Sequence, residues 1–178
     1  MNHPSSRSTA RRSNPKYPIP DWIWAPLVSG GLMLLVGILG LIAHQPWLFP
    51  SLGPSVFLQS EQPNAPFAKF YHTLVGHLIG LCTGLLAVFL FQANTTPSVM
   101  GTGEITRVRV AAAVLAVTLN MLFGILLHAS HPPAAATTLL VSLGGFKPTI
   151  HDSLTIVIGV IIIAVVGEGF RQWRLQQR

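Results

Sequence analysis

The chain has 178 residues, of which half are hydrophobic and only 9% are charged, with a formal net charge of +6. A soluble domain of this size carries about 25% charged residues, so the composition excludes an ordinary soluble protein. No short apolar segment ends at a small-residue cleavage site, so we expect an integral membrane protein without a secretory signal.

The basic excess is best explained by membrane topology. The stretch 1–20 is polar, basic and free of acidic residues, which predicts a disordered tail. With four crossings and this tail in the cytosol, only Lys69 and Lys147 lie outside, as the positive-inside rule requires. We therefore predict a bacterial inner-membrane protein with cytoplasmic N- and C-termini and no nucleic acid partner. The cations assigned to the cytosol are Arg7, Arg11, Arg12, Lys16, Arg107, Arg109, Arg171, Arg174 and Arg178.

Four apolar runs approach the roughly 20 residues that a helix needs to cross a bilayer. They cover 25–43, 74–91, 108–127 and 154–166 with its flanks. A polar linker divides them into two similar halves, which predicts an all-α domain of four transmembrane helices. We place this domain at 21–172, followed by a charged C-terminal tail at 173–178.

Each half also contains a proline-rich break and a short apolar piece, at 55–58 and at 134–143. Ten helical residues reach only about 15 Å of a hydrocarbon core roughly 30 Å thick. We therefore expect each short piece to be a re-entrant or interfacial helix that does not cross. The two halves then share one orientation.

The second break carries His128, His131, Pro132 and Pro133. Proline costs about 3 kcal/mol in a helix interior but is tolerated in the first turn. Pro132 and Pro133 therefore predict the start of a new helix after a long one, with imidazoles at the junction. Broken helices of this kind line cavities in membrane transporters.

The new helix would offer an anion site, because a helix N-terminus exposes amides and about half a positive charge. The prolines have no N–H, so the donors would be the amides of Ala134, Ala135 and Ala136, helped by the hydroxyl of Thr137. Ser55 at the first break would play the mirror role. The sequence leaves open whether these N-termini face a cavity.

Polar residues also lie within the long helices. Gly76, Gly80 and Gly84 form a small-residue face that permits close helix packing, within the chain or in a homo-oligomer. His77 beside this face is either a hydrogen-bonded structural histidine or a pore-lining, proton-handling one. Asn120 is interpreted either as an interhelical hydrogen-bonding residue or as a substrate contact.

Other features predict structure. Glu168 and Arg171 are spaced for an ion pair on one helix face. Asp152 or Ser153 is expected to cap the last helix, and Gly144 is expected to end the second short one.

Catalytic and metal chemistry find little support in the sequence. Stable metal sites use three or four ligands, so a metal-ion carrier using His77, His128 and His131 remains only an alternative. We expect no cofactor, no metal and no catalytic residue, because hydrolytic and nucleotide-binding motifs are absent. Transport would then be passive or ion-coupled, and a second alternative is a non-transporting membrane subunit.

The stretch from His131 to Leu140, with sequence HPPAAATTLL, resembles the signature of the HPP family of integral membrane proteins. The stretches 49–55 and 76–78 are similar to the family as well, and the resemblance runs from about 22 to 172. Members in cyanobacteria and chloroplasts are associated with nitrite transport, so the resemblance implies transport of a small inorganic anion, with nitrite favoured. At 51–55 this chain has SLGPS where the commoner motif is PFGAS. The predicted substrate-binding residues are His131, Pro132, Pro133, Ala134, Ala135, Thr137, Ser55, His77 and Asn120.

Overall fold

The computed structural model of the protein describes residues 17–177. The predicted disordered tail is therefore described only from 17 onward, and Arg178 also lies outside the described residues. Within this range the chain is helical and contains no strand. The helices are α1 (Asp21–Ala43), α2 (Leu52–Glu61), α3 (Phe70–Leu90), α4 (Val99–Thr102), α5 (Arg107–Leu126), α6 (Ala134–Ser142) and α7 (Ile150–Gln176).

The helices α1, α3, α5 and α7 are long and apolar enough to cross a membrane, with 20 to 27 residues each. They coincide with the four predicted apolar runs, which confirms the all-α membrane fold. The charged segment predicted as a tail from 173 onward is the last turn of α7, which continues to Gln176. The short helix predicted at 55–58 is also longer than expected.

One end of the bundle holds the first and last helices together. The Arg174 guanidinium donates to the Ile19 carbonyl at 2.7 Å and to the Asp21 carboxylate at 2.6 Å. Arg171 donates to the carbonyl of Pro63, just after α2, at 2.7 Å. We call this the terminal end, because both described chain ends lie there.

The Glu168–Arg171 pair predicted from the spacing is confirmed, with contacts of 2.8 and 2.6 Å. Glu168 also accepts from the Phe70 amide at 3.0 Å and from Gln172 at 2.8 Å. Because Phe70 is the first residue of α3, the carboxylate fixes that helix at the terminal end.

The opposite end of the bundle is closed by Arg109. Its guanidinium donates to the carbonyls of Thr96, Pro97 and Ser142 at 2.9 to 3.2 Å. These contacts join the linker between the halves, the start of α5 and the end of α6. We call this the linker end.

The two short helices connect opposite ends of the bundle. After α1 the chain doubles back without regular structure at 45–49, and α2 then runs until Glu61 shares a cavity with Asp21 at the terminal end. In the second half, α6 begins beside Gly80, at the middle of α3, and ends with Ser142 against Arg109 at the linker end.

The expectation that both halves share one orientation is therefore wrong, and the halves are inverted relative to each other. The length argument counted only helical residues, at about 1.5 Å each, and left out the non-helical lead-in before each short helix. A half-length helix together with its lead-in is enough to return from one end to the other. Lys69 consequently lies at the terminal end, while Arg107 and Arg109 lie at the linker end.

The glycine face of α3 is filled by α6 and its lead-in. A Cβ atom added to Gly76 would lie 2.5 Å from His131 Cβ, and one added to Gly84 would lie 2.9 Å from Val141 Cβ. At Gly80 it would meet the carbonyl oxygen of Ala134 at 2.8 Å. Of the two uses predicted for this face, close packing within the chain is confirmed, whereas a homo-oligomer stays a prediction.

The predicted caps are partly correct. Gly144 follows α6 with a φ of +83°, as expected for a residue that ends a helix. The last helix is capped by Thr149, whose hydroxyl accepts from the Asp152 amide at 3.1 Å, and not by Asp152 or Ser153. The Asp152 carboxylate instead accepts from the Lys147 amide at 2.7 Å.

Candidate functional site

The two breaks meet in the interior of the bundle, where Ser55 of α2 lies between two histidines. Its Oγ is 2.7 Å from His77 Nε2 and 3.0 Å from His131 Nε2. His77 comes from α3, whereas His131 comes from the lead-in to α6. All three side chains are buried, with exposed fractions of 5% or less.

Two hydroxyls extend this contact. His77 Nδ1 lies 2.6 Å from Thr137 Oγ1, and Thr137 Oγ1 lies 2.8 Å from Ser51 Oγ. Ser51 is the N-cap residue of α2, and Thr137 is in the first turn of α6. We call Ser51, Ser55, His77, His131 and Thr137 the central cluster. It is continuous, because each member is hydrogen-bonded to the next.

The far nitrogen of His131 anchors the cluster to the backbone. His131 Nδ1 lies 2.8 Å from the carbonyl oxygen of Phe67, in the 3₁₀ turn before α3. A carbonyl can only accept, so this nitrogen carries a hydrogen. The contact therefore fixes the tautomer of the neutral His131 ring.

Four of the predicted site residues, Ser55, His77, His131 and Thr137, are brought together in this cluster. The prediction missed Ser51. Its spacing of four from Ser55 places both hydroxyls on one helical face, and this was the available signal.

The amides predicted to bind an anion are not free. The N–H groups of Ala134, Ala135 and Ala136 donate to the carbonyls three residues earlier, at 2.9, 3.2 and 3.0 Å. The prediction of free amide donors is wrong because the His131–Pro133 segment turns tightly and supplies their acceptors. Ala134 is buried against Gly80, so it presents no surface to a ligand.

Two cavities flank Pro132. The first, of about 260 Å³, lies between α5 and the lead-in to α6, and its lining includes Asn120, Ser130, His131 and Ala135. We call it the α5 cavity. A water molecule occupies about 30 Å³ in the liquid, so this space is large enough for a small hydrated ion.

The second cavity is an open groove of about 710 Å³ between α2 and α6. Pro132 and Pro133 form one wall, and Gly53 and Pro54 form part of the other. Glu61 lies toward its terminal end. The predicted prolines therefore shape both spaces, whereas Asn120 lies in the α5 cavity and outside the central cluster.

The histidines of the metal alternative do not converge. His77 and His131 are neighbours, with ring centroids 5.0 Å apart, but His128 is exposed and has a φ of +50°. Across residues 17–177, His, Cys, Asp and Glu side chains form no group of three that is suited to a metal ion.

Comparison with known proteins agrees with the fold. A family model described as HPP, transmembrane region, matches residues 14–177. No curated protein and no solved structure gives a significant match. Because the family model covers nearly the whole chain, including both breaks and the central cluster, the protein belongs to the HPP family of integral membrane proteins.

Proposed function

We propose that this protein transports a small inorganic anion across the membrane and that nitrite is its substrate. The observation that carries the proposal is the central cluster, which lies where two broken passes meet. The proposal includes no catalytic step. It places the protein in a bacterial inner membrane with the terminal end in the cytoplasm.

Transport is supported by the free-energy cost of burying the polar cluster and by its position between the two halves. Polar groups in the apolar interior of a membrane protein are expensive and mark substrate or ion pathways. Here they lie between two inverted halves and beside two cavities, and many transporters hold their substrate in such a position. A purely structural role would not require cavities on both sides of Pro132.

An anion is supported by the donors and dipoles around the cluster. Both α2 and α6 begin in the bundle interior, so the positive ends of their dipoles point toward it. The first amides of α6 are occupied, and the hydrogens of the cluster are shared among its members. The donors that face the α5 cavity are therefore the Ser130 hydroxyl and the Asn120 amide. No acidic side chain belongs to the cluster, which favours an anion over a cation.

Nitrite is supported by the family resemblance, since related proteins in cyanobacteria and chloroplasts are associated with its transport. Nitrate, formate and bicarbonate are similar in size and charge, so they are the natural competitors in an assay. The cytoplasmic assignment of the terminal end is supported by its cations, which include Lys69, Arg171 and Arg174.

The direct test is nitrite uptake by liposomes that contain only this protein. We expect saturable uptake above that of empty liposomes, with competition from the preferred anions. The double variant Pro132→Ala/Pro133→Ala should lower uptake by about tenfold while leaving membrane insertion intact, because the prolines shape both cavities. Uptake no faster than in empty liposomes would refute the proposal and favour the non-transporting subunit.

A further inference from the structure

The hydrogen bonds of the central cluster have a direction that follows from the protonation state of His131. His131 Nδ1 donates to the Phe67 carbonyl, so in a neutral ring Nε2 has no hydrogen and must accept. Its neighbour at 3.0 Å is the Ser55 hydroxyl, which therefore donates to it. Because Ser55 has one hydrogen, its contact with His77 at 2.7 Å requires His77 Nε2 to donate.

The same reasoning orders the remaining contacts. A neutral His77 that donates from Nε2 must accept at Nδ1, so Thr137 gives its hydrogen to His77. Thr137 then has no hydrogen left for Ser51, so in this protonation state the Ser51 hydroxyl has to be the donor across the 2.8 Å between the two oxygens. In the neutral state the donors therefore run in one direction, from Ser51 through Thr137, His77 and Ser55 to His131.

One added proton reverses this direction without moving any heavy atom. A doubly protonated His131 donates from Nε2 to Ser55, which then donates to His77 Nε2. His77 carries its hydrogen on Nδ1 and donates to Thr137, and Thr137 donates to Ser51. Every contact is kept, no bond to carbon changes, and the cluster gains one proton and one positive charge.

The added charge lies beside the α5 cavity, because His131 is part of its lining. Asn120 lines the same cavity, is about nine-tenths buried and has no hydrogen-bond partner among residues 17–177. Because the side-chain amide of Asn120 opens into this cavity, it can donate to an ion or a water molecule there. The α5 cavity is therefore lined both by His131, which can gain a positive charge, and by the hydrogen-bond donor Asn120.

Few other ionisable groups face His131. His72 and His77, both on α3, are its titratable neighbours. The groups from α2, α5 and α6 are Ser55, Asn120 and Thr137, none of which titrates near neutral pH. The nearest carboxylate in the cavity linings is Glu61, which lies in the groove on the far side of Pro132.

We infer that the α5 cavity binds the anion together with one proton, which the central cluster takes up, so that transport is proton-coupled. This inference rests on the proposed anion transport and deepens it. An anion beside His131 stabilises the protonated cluster, and by linkage the protonated cluster binds the anion more tightly. Apparent affinity should therefore fall by about tenfold per pH unit above the pH at which the cluster titrates.

The test measures nitrite and protons together in liposomes that contain the protein and a pH dye in the lumen. Potassium and valinomycin hold the membrane potential at zero. Undissociated nitrous acid crosses lipid unaided, so the rates of empty liposomes are subtracted. We expect a nitrite gradient to acidify the lumen by one proton per nitrite and an inside-alkaline pH gradient to accelerate uptake.

Three variants locate the effect. His131→Gln keeps a polar side chain but takes up no proton, so the proton-to-nitrite ratio should fall from one to zero. Asn120→Ala should slow uptake at low nitrite by about tenfold with the ratio unchanged, as loss of one buried hydrogen bond predicts. Thr138→Val is the matched control, because the Thr138 hydroxyl donates only to its own helix, at the Ala134 carbonyl.

The wild-type measurement alone decides the question, even if a variant fails to fold. Nitrite uptake that follows the membrane potential and leaves the lumen pH unchanged would overturn proton coupling but keep anion transport. Absence of protein-dependent nitrite uptake would refute the proposed function, and the coupling with it.

Discussion

The two breaks of this protein share an architecture but differ in chemistry. In each half a non-helical lead-in is followed by a short helix that packs against the last long helix of the other half. At the second break, α6 fits the glycine face of α3 through backbone and small side chains. At the first break, α2 and its lead-in meet α7 through the larger Phe49 and Gln59, opposite Gly159 and Gly167.

The polar groups are distributed unevenly over this inverted frame. The first break contributes hydroxyls to the central cluster, whereas both imidazoles come from α3 and the second break. Gln59, deeper in α2, is buried and leaves its side-chain oxygen without a partner among the described residues. The two halves therefore have similar folds but contribute different groups to the site, and the groups that can accept a proton lie on the side of the α5 cavity.

The largest loss of stability is expected from a substitution on the glycine face of α3. Gly80→Ala should lower the free energy of unfolding by about 3 kcal/mol, the upper range for overpacking a well-packed interior. The new methyl group would lie 2.8 Å from the Ala134 carbonyl, and backbone cannot move aside cheaply. Unfolding of the purified protein in a denaturing detergent titration measures the loss.

The control for this substitution is Gly30→Ala on α1, where nothing lies within 4 Å of an added Cβ. Its stability should equal that of the wild type or exceed it by up to about 1 kcal/mol, because alanine favours a helix more than glycine does. Equal stability of the two variants would show that α6 does not need the close approach.

The cluster itself is tested by Ser55→Ala. This change removes the hydroxyl between His77 and His131 and leaves buried imidazole nitrogens without a partner, at a cost of about 2 kcal/mol. Ser60→Ala is the matched control on the same helix, because the Ser60 hydroxyl donates only to the Val56 carbonyl. If both serine variants unfold alike, the cluster is not formed as described.

The first break should tolerate crowding better than the second. Gly159→Ala brings a methyl group to 2.7 Å from the edge of the Phe49 ring, which can rotate or shift more easily than a carbonyl. We expect a loss of about 1.5 kcal/mol, smaller than at Gly80, in the same detergent titration. A larger loss here than at Gly80 would reverse the comparison of the two packing faces.

The smallest effect is expected at the terminal end, far from both breaks. Glu168→Gln weakens the pair with Arg171 and the contact with the Phe70 amide, which should cost about 1 kcal/mol because glutamine has the same size and keeps an accepting oxygen. Glu104→Gln on the exposed linker is the control and should be neutral. Nitrite uptake should be unchanged in both variants, and a large transport defect in Glu168→Gln would show that the site extends to this end.

Much of the fold followed from sequence because lipid imposes a strict length and polarity on crossing helices. The break at Pro132 and the end of α6 at Gly144 were equally local features, which proline and glycine determine. The inverted orientation was not local. It depended on the non-helical lead-ins, and no helical length argument detects their path. The first lead-in packs against Gly40 and Gly159, and the second packs against Gly76 and Gly124.

The site was predictable in its residue types more than in its connections. Ser55, His77, His131 and Thr137 stand out as polar residues in apolar or family-like stretches. These four residues come from four separate segments of the chain, so no sequence spacing reveals which of them are in contact. The free amides were predicted wrongly because a tight turn before α6 supplies acceptors that a regular helix start lacks.

The position of Arg107 and Arg109 has a consequence for biogenesis. A separately produced second half would carry Arg107, Arg109 and Lys147 on one side of its helices and Arg171, Arg174 and Arg178 on the other. The charge rule would then favour neither orientation. In the intact chain, the first half must supply the bias, so the order of synthesis helps to decide how the protein sits in its membrane.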